Sequence, residues 1–173
     1  PRVVAVDKAF APTGLRSARS SNQSDVCFRA FEPHISAHAQ VASIALDSIR
    51  KGSVLIVAPD ERDIIAICAH LQASSAPVVR IDSGLSRNER YANFLQSMQE
   101  QHQIIIGSRS AVFAPLPPGS TIIVFKESSP DLYEVRSPAW NARDVAMMRK
   151  SFDSARVILC GFVPSLDVAA LID

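Results

Sequence analysis

Six short apolar runs punctuate the chain, at 26–31, 54–58, 78–81, 104–106, 121–125 and 157–160. They are rich in valine and isoleucine, too short for helices, and show no polar alternation. That pattern predicts strands buried on both faces, as in a parallel sheet. Between them the apolar positions follow a helical period. Ala39, Val41, Ala42, Ile44, Ala45 and Ile49 predict a helix over about 36–51, with Gly52 at its stop. Ile64, Ile65, Ile67, Cys68 and Leu71 predict a second. Ser86 and Glu89 have capping-box spacing and open a third, which carries Tyr91, Phe94, Leu95 and Met98. A fourth is expected over about 141–150, and a terminal one from Pro164.

Strand–helix alternation of this kind predicts a doubly wound, three-layer α/β fold with a parallel sheet. The expected lobe covers residues 26–173. Residues 1–25 read as an arm or linker, with a possible short strand at 3–6 and a serine-rich stretch from Ser17 to Ser24.

Composition adds limits. The 173 residues are 47% hydrophobic and 20% charged, which suits one globular domain. A net charge of +1 argues against holding nucleic acid mainly by broad phosphate neutralisation. No apolar run approaches the ~18 residues of a membrane span. Cys27, Cys68 and Cys160 form no Cys-x-x-Cys and read as small buried hydrophobes in a reducing cytoplasm.

Chemistry concentrates at Gln103-Ile-Ile-Ile-Gly-Ser-Arg-Ser-Ala-Val-Phe-Ala-Pro115. Gly107 ends a strand, and Ser108, Arg109 and Ser110 follow at its carboxyl end, where open α/β sheets bind ligands. This stretch resembles the first motor lobe of the replication-restart helicase family, primosomal protein N-prime (PriA). The likeness extends to Asp82-Ser83-Gly84-Leu85, Asn141-Ala142-Arg143-Asp144 and Pro164-Ser165-Leu166. It implies a RecA-like lobe of the P-loop NTPase type, a setting in replication restart, and forked or single-stranded DNA, primosome proteins and a second helicase lobe as partners. The family uses ATP and Mg²⁺, and its zinc-binding cysteine cluster lies outside this chain.

The nucleotide motifs depart from the family's. A phosphate loop needs glycines, a lysine and a hydroxyl so that backbone N–H groups and one ammonium can cradle phosphates. Here Ile35-Ser36-Ala37 stand where Gly-Lys-Thr belongs, after Glu32, Pro33 and His34. The metal-holding Asp-Glu of the next motif is Lys126-Glu127. Glu127 falls at the position of the water-activating glutamate, but reads as a plain loop carboxylate pairing with Lys126. The coupling motif is Cys160-Gly-Phe-Val-Pro164, with Phe162 and Val163 as packing residues. The expectation is therefore a lobe that uses no cofactor and has no catalytic residue.

The elements that face DNA in the family survive better: Ser83, Gly84, Ser108, Arg109, Ser110, Tyr133 and Trp140. Arg109 can hold a phosphate or tie down its own loop, and the aromatics can stack on bases or anchor that loop. His34 and His38 have the spacing of a helical zinc pair but lack further ligands at suitable spacing. Arg143-Asp144 reads as a structural pair at a helix start. The expected function is a restart protein without helicase activity that binds DNA or protein. Two alternatives stand beside it: an active ATP-dependent helicase with an unusual phosphate site, and a purely structural α/β interaction module.

Overall fold

The computed structural model describes residues 4–6, 26–99 and 102–172. Strands β1 (Val4–Val6), β2 (Val26–Ala30), β3 (Val54–Val57), β4 (Val78–Ile81), β5 (Ile104–Gly107), β6 (Thr121–Phe125) and β9 (Arg156–Gly161) form one sheet. Its order is β1-β2-β9-β6-β3-β5-β4, and every pairing is parallel. The short strands β7 (Tyr133–Glu134) and β8 (Trp140–Asn141) pair separately as an antiparallel ribbon. Sequence patterning anticipated six of the seven strands, and the short strand considered at 3–6 joins the same sheet through β2. The serine-rich stretch 17–24 lies outside the described residues.

Helices α1 (Ala37–Ser48) and α2 (Glu61–Leu71) cover one face, where Val41, Ala45, Ile64 and Ile67 pack on Ile56, Ile104, Ile123 and Ile158. Helix α4 (Ala142–Asp153) and Val168 of α5 (Leu166–Ile172) close the other face over Leu55, Ile105, Ile122 and Val157. The result is the three-layer α/β lobe expected. The residues of β3 and β6 are buried throughout, and each such valine or isoleucine contributes about 1.5–3 kcal/mol. Residues flanked by helices on both sides have no use for polar alternation, which is why these runs are apolar throughout.

Helix α3 (Arg87–Gln99) covers β4 at the sheet edge. Its box is complete: the Ser86 N–H donates to Glu89 at 2.9 Å, and the Glu89 N–H donates to Ser86 Oγ at 3.3 Å. These bonds hold the Glu89 carboxyl below its ordinary range. Tyr91, Phe94, Leu95 and Met98 are nevertheless exposed. Helix α1 stops sooner than expected. It ends at Ser48, whose hydroxyl bonds back to the Ile44 carbonyl at 2.7 Å, and its cap, Ile49, is right-handed. Gly52 lies in the turn beyond and supplies no left-handed cap. Helix α4 ends instead on Ser154 at φ 53°. Gly107 has a steric reason: a Cβ there would collide with the Ile81 carbonyl oxygen and the Ala111 methyl.

Candidate functional site

Loops leaving the carboxyl ends of β2, β6 and β9 converge on one edge of the sheet. The loop at the phosphate-loop position, 31–36, is closed by Gln40. The Glu32 N–H donates to Gln40 Oε1 at 3.0 Å, and Gln40 Nε2 donates to the Glu32 and Ile35 carbonyls, each at 3.0 Å. One side-chain amide thus satisfies both backbone groups of Glu32, and Pro33 has no N–H to offer. Ile35 is exposed, Ser36 stands at the N-cap without a side-chain capping bond, and Ala37 opens α1. His34 reaches Glu32 at 3.3 Å.

Lys126 sits at the end of β6 with φ 51°, which turns the chain sharply away from the strand. Its Nζ donates to Asp63 Oδ1 at 2.8 Å and Oδ2 at 2.9 Å, and His38 Nε2 lies 2.8 Å from Oδ1. The expected pairing of Lys126 with Glu127 is therefore not made. A left-handed residue points its side chain away from its neighbour's, and Asp63 on α2 is the carboxylate within reach. Phe125, Phe31 and Phe162 pack beside this cluster, with ring centroids 5.5 Å apart for Phe31–Phe125 and for Phe31–Phe162. Phe162 packs as expected on Phe31 yet stays more than half exposed, and Val163 is exposed.

Glu127 is not a loop carboxylate on the surface. It is 1% exposed and accepts from the Ser165 N–H at 2.6 Å, Ser165 Oγ at 2.9 Å and Arg143 Nη1 at 3.4 Å. Arg143 also donates to Asp144 at 3.1 Å and Asp167 at 2.8 Å. Burial pulls its guanidinium pKa down, but the bonds to Asp167 and Asp144 outweigh this and raise it. The Arg143–Asp144 pair expected at the start of α4 is present within this larger network.

The elements likened to DNA-facing loops lie apart from that cluster. Gly84 donates its N–H to Asp82 Oδ1 at 2.9 Å, and Arg80 grips Asp82 through two bonds. Ser83 is exposed beside it. Arg109 opens a 3-10 turn, Arg109–Phe113, between Ser108 and the buried Ala111. Its Nη2 donates to Glu134 at 2.9 Å and its Nη1 to the Asp131 carbonyl at 3.4 Å. Bonds from the Arg136 N–H and from Arg109 hold the Glu134 carboxyl below its ordinary range. Trp140 meets Phe113 edge-to-face at 4.9 Å, whereas Tyr133 and Ser110 are exposed.

No protein-family model matches the chain. Curated relatives do match: it is 31% identical over 134 residues to the probable replication restart protein PriA of Mycobacterium tuberculosis, covering 76% of this chain and 20% of that protein. It is 33% identical over 124 residues to PriA of Synechocystis, covering 70% and 15%. The chain is a homologue of PriA. It spans about a fifth of the length of the PriA proteins it matches. Among solved structures, the C-terminal part of the Fun30 ATPase domain is similar over 73% of this chain and 39% of that one, at TM-score 0.47 and 16% identity.

Relative to the PriA resemblance, the structure brings Ser36, Ala37, Lys126 and Glu127 to one sheet edge. Ser108, Arg109, Tyr133 and Trp140 gather around the β7–β8 ribbon, and Ser83–Gly84 sit by β4. Sequence reasoning missed Gln40 and Asp63, which answer to no motif, and weighed His38 only as one of a zinc-spaced pair with His34, whereas it meets Asp63. It quoted Arg143 and Ser165 within the matching motifs but did not connect them to Glu127.

Proposed function

We propose that this PriA homologue serves replication restart as a helicase-like lobe that binds DNA or protein without turning over ATP. The carrying observation is Lys126 held on Asp63. An ammonium paired to the neighbouring carboxylate stands where Mg²⁺ would need a free one. The groups around it do not suit a triphosphate. Gln40 holds the Glu32 N–H and the Glu32 and Ile35 carbonyls, and Glu127 is committed to Ser165 and Arg143. Calorimetric titration of the full-length protein with Mg·ATP and with forked DNA tests this. No heat with Mg·ATP is expected, and a low-micromolar dissociation constant overturns the reading in favour of an active helicase with an unusual site.

Arg109, flanked by Ser108 and Ser110, is the proposed DNA contact, with Tyr133 free to stack and Ser83–Gly84 at the neighbouring turn. Single-stranded or forked DNA, primosome proteins and a second helicase lobe are the proposed partners. The described residues include no helix long and apolar enough to cross a membrane. A second reading, a protein-contact module, is favoured by one feature. Ile35, Phe162, Val163 and Leu166 leave exposed apolar surface on the edge where the family's nucleotide motifs would lie.

A further inference from the structure

Helix α3 sits on the sheet edge by its polar side. Asn93 Nδ2 donates to the Arg80 carbonyl of β4 at 2.8 Å, and the buried Ser97 hydroxyl donates to the Phe94 carbonyl at 2.7 Å. Among the described residues of α3 no apolar side chain is buried, and the i, i+3, i+4, i+7 stripe of Tyr91, Phe94, Leu95 and Met98 is left exposed. A cavity of about 570 Å³ lies against the first two turns, lined by Ile81, Arg87, Asn88, Arg90, Tyr91 and Phe94. That wall carries two cations and no carboxylate. Among the described residues neither guanidinium has an ion pair or hydrogen-bond partner. The carboxylates of the same segment are taken elsewhere, Asp82 by Arg80 and Glu89 by Ser86.

We propose that this face of α3 is a stacking site for single-stranded DNA, with Tyr91 and Phe94 against bases and Arg87 and Arg90 on the adjoining phosphates. Arg87 stands four residues before Tyr91, and Arg90 four before Phe94, so each guanidinium neighbours one ring on the helix surface. That alternation of cation and ring matches the alternation of phosphate and base along a strand, and aromatic rings take any base whose face is free. A duplex hides those faces, which is why the fit is to a single strand. A second copy of this chain would bring the same two cations and so lacks the charge the wall needs. Position agrees as well. Ile81 is the register partner of Gly107, after which come Ser108 and Arg109, and it leads directly into Ser83–Gly84. The cavity thus opens beside both loops already proposed to meet DNA. The inference rests on the DNA-binding form of the restart reading and extends it from those loops to a helix face.

The test is low-salt fluorescence anisotropy of the full-length protein with a labelled oligo-thymidine, comparing Tyr91→Ala, Tyr91→Phe, Arg90→Ala and Arg109→Ala. All the α3 side chains changed are exposed, so the fold is spared. Tyr91→Ala is expected to weaken binding about fivefold or more, whereas Tyr91→Phe, which keeps the ring, binds as wild type does. Arg90→Ala is expected to weaken binding and to flatten the salt slope by about 0.7, the share of one phosphate on a single strand. Wild-type affinity in both Tyr91→Ala and Arg90→Ala overturns the inference and leaves the face to an acidic protein partner. If Arg109→Ala alone weakens binding, the loop contact stands and the α3 site falls; if only the α3 variants do, the site stands and Arg109 is structural. No binding by the wild type overturns both DNA contacts, while the Mg·ATP titration still tests the lobe's inactivity on its own.

Discussion

Lys126 Nζ lies 2.8 and 2.9 Å from the two carboxylate oxygens of Asp63, a residue 63 positions earlier in the chain. The Asp63 side chain is only 7% exposed and has His38 as its other partner. Removing the ammonium strands most of a buried charge. Lys126→Asn keeps a residue that tolerates the left-handed backbone and deletes the charge. A loss of about 1–3 kcal/mol in urea unfolding is expected. An unchanged midpoint would mean that solvent already screens the pair.

Glu127 is expected to matter for stability and not for turnover. Glu127→Ala leaves the Ser165 N–H without its acceptor and removes the carboxylate that faces the mostly buried Arg143, at a cost of about 2–4 kcal/mol. For a domain of this size that is a fall in Tm on the order of 10 °C by differential scanning calorimetry. Mg·ATP titration should give the same trace before and after the change. A folded variant of wild-type stability would count against the network.

Restoring one lysine should not restore nucleotide binding. Ser36→Lys adds a point charge, but Gln40 still holds the Glu32 N–H, Pro33 still offers none, and Lys126 still opposes Mg²⁺. Rebuilding the loop from Glu32 to Ala37, together with Gln40→Ala and Lys126→Asp, is the smallest change expected to help, and its parts should be strongly non-additive. Titration with Mg·ATP decides: equal binding by the single and the rebuilt variants would show a loop already shaped for phosphate.

Arg109 is predicted to be a masked DNA contact. Glu134→Gln should release it and strengthen single-strand binding several-fold in low-salt anisotropy. Arg109→Ala should weaken binding and make the Glu134 change silent. The salt slope should be shallow, about −1 to −2, because few phosphates are met. Glu134's folded pKa lies below its ordinary value of 4.5. Its contribution to stability is therefore fully present above 4.5 and is lost as pH falls through the lower, folded value. Proteolysis of the 130–141 segment should accelerate across that window, and no change in cleavage rate would show that the pair does not hold the ribbon.

The sheet was legible because buried parallel strands announce themselves as unbroken β-branched runs, and Ser86–Glu89 was legible because its partners are three residues apart. The candidate site was less so. Gln40 and Asp63 are ordinary polar residues on helices, and their roles arise only when α1 and α2 pack beside the loop and β6. Nor does composition show whether a lysine after a strand turns left-handed, and that turn decided that Lys126 meets Asp63 and not Glu127. Burial likewise separates Cys160, whose thiol it pushes far up, from the reactive cysteine that a count alone would leave possible.

Strand β9 lies between β2 and β6, although the chain makes it after all the others. Val26 finds its partner Val157 some 130 positions later, at the far end of a long loop closure. A nascent chain that has not yet reached Arg156 therefore holds two open strand edges with a gap between them. Such edges are templates for pairing with other chains, so synthesis passes through an interval in which the protein is sticky until its last strand is threaded into the middle.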